Sequence, residues 1–338
     1  MVMATGVIAI ASHAQGRTLI ATVLGSLNLI AYVVLWLLLG ARLIRHPRLV
    51  FRDLIDHVHG PGYFTTIAGT CILGSQVLVL WDARALALAL GVIGVVLWLF
   101  VTYVIFTAFT VKREKPTLSE GLTGAWLIAV VATQAVAVLT ASLAPGLPQP
   151  MRLELNFFAL SMWLWGGMLY IWMISLIFYR YTFFTFSPKD LTPPYWINMG
   201  AMAISTLAGS LLILNADAFD TPFLESLVPF MKGFTVFFWA TGTWWIPMLA
   251  ILALWRHGIQ RFPLRYDPLY WGAVFPLGMY TLSTDRMIDA LTLDFLDGIP
   301  RTFIFIALAA WIATFTGLVR SLARGAGNAW RGVDAPSA

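Results

Sequence analysis

Apolar runs long enough to cross a bilayer recur nine times along this chain, and that recurrence constrains it more than any motif does. At about 1.5 Å per helical residue, roughly twenty residues cross the ~30 Å of hydrocarbon in a membrane. The runs lie near 20–43, 61–81, 85–109, 121–144, 155–179, 194–214, 231–255, 268–288 and 302–319. Between them sit only short polar connections, none long enough for a folded soluble unit. The expected fold class is therefore an all-α polytopic membrane protein: a single transmembrane domain over 1–324, followed by a small, polar, disordered tail over 325–338. Charged residues make up 11% of the 338, against roughly 25% in soluble proteins.

The first residues form a tenth, shorter run, Met1 to Ser12. It carries no charge before Arg17 and lacks the basic start of a signal peptide. Its Ala4-Thr5-Gly6 is similar to Ala68-Gly69-Thr70 at the corresponding depth of the second full run. The segment 1–16 is thus expected to be the back half of a further repeat whose front half is absent; either the chain continues upstream of Met1 or the first wall is incomplete.

Loop charges orient the chain. When alternate loops are assigned to opposite sides, one side collects the larger part of the 21 Lys and Arg residues. Among these are Arg42, Arg45, Arg48, Arg52, Lys112 and Arg113, and later Arg256, Arg265, Arg320 and Arg324. The other side holds Arg17, Arg84, Arg152, Lys232, Arg286 and Arg301, with most of the acids. Basic residues concentrate in cytoplasmic loops. The C-terminus is expected in the cytoplasm, in a plasma or inner membrane. The net charge of +5 follows from this topology, and because the basic residues are not gathered in one place it does not point to nucleic acid.

The spans divide into two classes. Those rising from the basic side carry helix breakers, and three of them open alike: Pro61-Gly62-Tyr63-Phe64, Pro193-Pro194-Tyr195-Trp196 and Pro268-Leu269-Tyr270-Trp271. A proline in the first turn sacrifices no hydrogen bond. Pro276 is different: at mid-span it frees a backbone carbonyl, which membranes tolerate beside a cavity or a neighbouring helix. The returning spans are mostly longer and aliphatic or aromatic, as in Gly94-Val95-Val96-Leu97-Trp98-Leu99-Phe100. The pattern suggests kinked inner helices within a lipid-facing ring. Close packing of small residues also explains any single glycine.

Inner-class spans offer hydroxyls and amides but no ionisable side chain at mid-membrane. Candidate lining residues are Thr66, Thr70, Thr133, Asn198, Ser205 and Thr281. Such a path suits weak coordination of an anion, although hydroxyls also bind helix to helix. Gly272, Pro276 and Gly278 are the candidate kink. Phe275, eight residues after Asp267 and so about 12 Å into the helix, either packs against a neighbouring helix or closes a water-bearing path by dewetting it.

Other chemistries find little purchase. His13, His46, His57, His59 and His257 all lie at or beyond span ends, which argues against haem. No His-Glu-x-x-His occurs, and no mid-span lysine is placed to hold retinal. Asp285, Asp289, Asp294 and Asp297 read as solvated loop acids rather than a metal site. The lone Cys71 reads as a small packing residue. No cofactor, metal or catalytic group is expected.

Several stretches, in order and spacing, resemble the tellurite-resistance/C4-dicarboxylate transporter family, which includes fungal malate and sulfite transporters and plant slow anion channels. They are Ala41-Arg42-Leu43-Ile44-Arg45-His46-Pro47, His59-Gly60-Pro61-Gly62-Tyr63-Phe64, Pro193-Pro194-Tyr195-Trp196-Ile197 and Tyr270-Trp271-Gly272-Ala273-Val274-Phe275-Pro276. The resemblance runs over nearly the whole chain. It implies ten helices in five hairpins, the odd-numbered ones lining a central pore, in a homotrimer. It also implies that the phenylalanine matching Phe275 by position blocks the pore. The function so implied is channel-like passage of small anions or oxyanions. The alternatives are a proton-coupled dicarboxylate carrier or sulfite/tellurite exporter and, from a different class, a membrane scaffold.

Overall fold

Backbone polar groups in hydrocarbon need partners within the chain, and every long apolar run here meets that need as a helix. The computed structural model describes the backbone of residues 1–218 and 222–333, and side chains over 1–216 and 222–324. The main helices are α1 (Val2–Ala14), α2 (Thr18–Arg45), α3 (Phe64–Trp81), α4 (Arg84–Val111) and α5 (Ile128–Leu143), then α6 (Met151–Phe183), α7 (Ile197–Ala218), α8 (Pro222–Leu254), α9 (Trp271–Leu291) and α10 (Gly298–Val333). Two short helices, Pro47–Leu54 and Leu118–Gly121, lie in connections. The segment 325–338, expected to be irregular, is helical in backbone as far as Val333, and its remainder lies outside the described residues.

The odd-numbered helices close on one another. Helix α1 packs on α3, α3 on α5, α5 on α7, α7 on α9, and α9 back on α1. Among the described residues no two inner helices across the ring are in comparable contact. Each even-numbered helix packs against the inner helix before it and against the next one round. Burial follows the same division: 89% of the central stretch of α5 and of α7 is buried, against 17% to 33% for α2, α4, α8 and α10. Leu37, Val92, Ile251 and Leu322 on the even-numbered helices are exposed, as lipid-facing side chains should be.

Among the described residues eight helical segments are long and apolar enough to cross a membrane by themselves, whereas nine spans are expected from the sequence. The difference is α9, which forms but whose last turns carry Asp285, Arg286 and Asp289. Held inside the ring, it does not need a lipid-compatible surface. A second difference lies in α8, an outer helix that nevertheless contains Pro229 and Pro247 and ends in a π-helical turn, Trp255–Ile259.

Four inner helices begin with a single 3-10 turn: Gly60–Tyr63 before α3, Gly124–Leu127 before α5, Pro193–Trp196 before α7 and Pro268–Tyr270 before α9. Side chains cap two of them, Thr123 accepting from the Ala125 amide and Asp267 from the Leu269 amide. The turn before α5, Gly124-Ala125-Trp126-Leu127, has no proline and escapes the sequence pattern. It comes so close to the next one that a Cβ on Gly124 would lie 2.6 Å from the Tyr195 nitrogen.

Candidate functional site

Each inner helix offers one polar group to an aromatic residue of an outer one. Tyr32 of α2 shares a 2.9 Å hydrogen bond with Thr70 of α3. Trp98 of α4 donates to Thr133 of α5 at 2.9 Å. Trp163 of α6 donates to the Ser205 carbonyl of α7 at 2.8 Å. Trp239 of α8 donates to Thr284 of α9 at 3.0 Å, and Trp311 of α10 to Thr5 of α1 at 2.9 Å. Each strap runs from an outer helix to the inner helix of the following pair. A buried indole N–H has to find a partner, and for Trp98, Trp163, Trp239 and Trp311 the next inner helix supplies it.

The other candidate lining residues fall along the same seams. Thr66 is half-buried, donates to the Tyr63 carbonyl at 2.7 Å, and lines a cleft of ≈ 420 Å³ with Met3, Tyr32 and Gly69. Asn198 is buried; its side-chain N–H reaches Tyr181 Oη at 3.4 Å and its backbone carbonyl accepts from the Tyr170 hydroxyl at 3.3 Å. The hydroxyls of Ser205 and Thr281 donate one turn back, to Ala201 and Leu277, at 2.8 and 3.0 Å.

Helix α9 brings the kink residues and Phe275 together. Successive helical residues turn by about 100°. With Phe275 as reference, Pro276 lies about 100° to one side and meets α7, where a Cβ on Gly200 would lie 2.7 Å from Pro276 Cγ. Gly278 lies about 60° to the other side and meets α1, where its Cβ would lie 2.7 Å from Ile8 Cγ1. Tyr280 and Thr284 fall on the opposite face, about 140° and 180° round. They meet the outer helices: Tyr280 shares a 2.8 Å hydrogen bond with Thr243 of α8, its ring lies 4.9 Å from that of Phe303 in α10, and Thr284 accepts from Trp239. Phe275, which is 1% exposed, therefore faces inward between α7 and α1. Met279, Leu282 and Arg286 follow on the same line, within about 40° of it. Met279 and Leu282 are buried, and Arg286 at the far end pairs with Asp289 at 3.0 Å. Gly272 sits one turn before Phe275 and meets Pro194 in the turn that opens α7.

Charge is kept to the ends of the helices. Among the described residues the buried charged side chains are Arg180 and Arg256. Arg180 donates to the Leu122 carbonyl and to Tyr195 Oη, so it ties the approach to α5 to that of α7, and it pairs with Asp190 at 3.4 Å. Burial works against the ionised Asp190 carboxyl. Hydrogen bonds from the Ser187 hydroxyl and amide, with Arg180 nearby, outweigh it and hold Asp190 below the usual carboxylate range. His57 is pushed the other way from a charged imidazole: desolvation, then Lys112, lowers its pKa, and its ring stacks on Phe109 at 4.1 Å. Asp285 and Asp289, expected in a loop, lie in the last turns of α9; Asp289 pairs with Arg286, and Asp297 with Arg301 at 2.8 Å.

A closed ring of inner helices, ionisable groups confined to its ends and one apolar face turned inward define a polytopic membrane transport protein. The chain belongs to the voltage-dependent anion channel family (SLAC1), whose pattern matches residues 1–319. It is 25% identical over 333 residues to an uncharacterized transporter of Methanocaldococcus jannaschii, covering 96% of this chain and 93% of that one. A second uncharacterized transporter of the same organism is 25% identical over 280 residues, 79% of this chain and 75% of its own. An uncharacterized membrane protein of Mycobacterium tuberculosis is 40% identical over 163 residues, 48% of this chain and 81% of that one. The family is one of channels and transporters rather than enzymes.

Proposed function

We propose that this protein passes small inorganic anions or oxyanions along the axis of the inner ring, and that Phe275 occludes the path. The observation that carries this reading is the position of Phe275 on the inward face of α9, between the Pro276–Gly200 and Gly278–Ile8 seams. A buried aromatic ring above Met279 and Leu282 is an apolar constriction of the kind that closes a channel by excluding water. The absence of buried Asp, Glu or Lys among the described residues favours passive conduction, since proton-coupled carriers use ionisable groups near the midplane. Of the candidate lining residues, Thr70 and Thr133 bond outward to Tyr32 and Trp98 and Thr281 lies about 120° round α9 from Phe275, so these three belong to the helix seams; Thr66, Asn198 and Ser205 remain as candidate polar groups of the wall. The excess of Lys and Arg in alternate loops supports a cytoplasmic C-terminus and a plasma or inner membrane, and the family resemblance supports a homotrimer.

A second reading, a carrier of C4-dicarboxylates, has one feature in its favour: Arg286 shares the inward line of Phe275 and could meet a carboxylate. Liposome flux separates the two. Chloride, nitrate, malate and tellurite are compared with and without a proton gradient. Gradient-independent chloride and nitrate flux is expected. Malate flux that needs the proton gradient, with no chloride or nitrate flux, would replace the channel with a carrier.

A further inference from the structure

A large cleft lies outside the ring, on the side of the basic loops, between the ends of α8 and α10 and the start of α9. Its volume is ≈ 1160 Å³. One part is apolar and built from small residues that leave a groove: Ala253 of α8, Ala273 of α9, and Ala310 and Ala313 of α10. The other part is basic, lined by Arg256, His257, Arg265, Arg320 and Arg324, and no Asp or Glu lines the cleft among the described residues. Asp267, which opens α9, is not part of the wall and accepts from the Leu269 amide at 2.8 Å.

Arg256 is the telling residue. It is 9% exposed, its guanidinium lies 4.4 Å over the Phe262 ring, and its Nε has no hydrogen-bond partner. Tyr266 Oη, in the same wall, is also buried without a partner. A guanidinium N–H left unsatisfied inside a basic cleft is a donor awaiting an anionic oxygen. From Ala310 to Arg324 the α10 wall runs about 20 Å, from apolar groove to basic mouth. A soluble anion has no use for the groove. A phospholipid needs both parts.

We propose that this cleft binds one anionic phospholipid of the adjoining leaflet, its phosphate held by Arg256, Arg265, Arg320 and Arg324 and an acyl chain lying in the alanine-lined groove. The site is distinct from the conduction path, because Ala273 and Leu277 present to it the face of α9 turned away from Phe275.

The test uses the full chain purified in mild detergent, with phosphatidylglycerol, phosphatidylcholine and inorganic phosphate as probes and retention read by native mass spectrometry. Arg265, Arg320 and Arg324 are exposed, so the triple variant Arg265→Ala/Arg320→Ala/Arg324→Ala leaves the buried packing intact. Each basic side chain near an anionic membrane surface is worth about a fivefold preference, so the variant is expected to lose phosphatidylglycerol retention roughly a hundredfold. The control Arg45→Ala/Arg48→Ala/Arg52→Ala removes the same charge elsewhere on that side and is expected to retain the lipid. Equal retention by wild type and the cleft variant overturns the proposal, as does equal loss in the control. Inorganic phosphate displacing the lipid at matched concentration would make this a free-anion site. A changed oligomeric state with no bound lipid in the wild type would make it a contact between copies.

Discussion

Trp311 of α10 donates its indole N–H to Thr5 Oγ1 of α1 across 2.9 Å, a bond between residues 306 apart in sequence. It is the last of the aromatic straps and the one that ties the end of the chain to its start. Trp311→Phe keeps most of the ring contact with Phe315 and removes the donor. The expected cost is about 1 kcal/mol, or roughly 2 °C in a protein of this size. Thr5→Val should cost a similar amount. The loss in the double variant should be smaller than the sum of the two single losses, read by thermal unfolding in detergent. Strict additivity would show that the bond contributes nothing.

The contact between Gly200 and Pro276 makes a second prediction. A methyl group on Gly200 would lie 2.7 Å from Pro276 Cγ, and a proline ring cannot rotate out of the way. Gly200→Ala should therefore push α7 from α9 at a cost of about 1–3 kcal/mol. Because Phe275 adjoins Pro276, the same variant should change anion flux in liposomes. A stable variant with unaltered flux would dissociate the kink from conduction.

Phe275→Ala is expected to raise anion flux on the order of tenfold, equivalent to removing a barrier of about 1.4 kcal/mol. Phe303 is an unsuitable comparison, since its ring packs on Tyr280 of the same helix. Phe100 on α4 is exposed, and Phe100→Ala should leave flux unchanged. If Phe275→Ala inserts and folds yet conducts like its parent, the occlusion lies elsewhere.

Asp190 predicts a pH dependence. Its native pKa is depressed by Ser187 and Arg180 against the opposing effect of desolvation. A depressed carboxylate stabilises the fold fully above its unfolded pKa, about 3.9, and loses that contribution as pH falls through the lower native value. Wild type should therefore melt above Asp190→Asn at pH 6, and the gap should close as pH falls below about 4. A gap that is constant from pH 6 to 3 would mean that the carboxylate charge is not what matters.

Much of this architecture is legible in the sequence, because lipid imposes simple rules. Apolar length marked the spans, and glycine and proline separated α3, α7 and α9 from the aliphatic α4 and α10. The turn before α5 was missed because its tight approach depends on Gly124 rather than on a proline. The partners of Thr70, Thr133 and Thr284 could not be read, since a hydroxyl in a helix looks alike whether it faces water, an ion or an indole. Trp98, within the aliphatic stretch 94–100, carries no sign in the sequence that its indole N–H reaches Thr133. The inward line of Phe275, Met279 and Leu282 needed Pro276 and Gly278 to be assigned to particular neighbours, which only the packing of α7 and α1 supplies.

The polarity of α9 has a consequence for how the protein is made. A helix that the bilayer would not accept alone must enter in company, because insertion machinery sorts segments by their free energy in lipid. Here the company is α7 and α8 already in place, with α10 following. A chain ended after Leu291 should leave α9 untethered and accessible to water-soluble thiol reagents at an engineered Leu282→Cys, whereas the full chain should protect it. Biogenesis is then ordered by the least oily of the full-length helices: the eight long apolar ones can wait in the membrane singly, and the segment carrying Phe275 is admitted only when its surroundings exist.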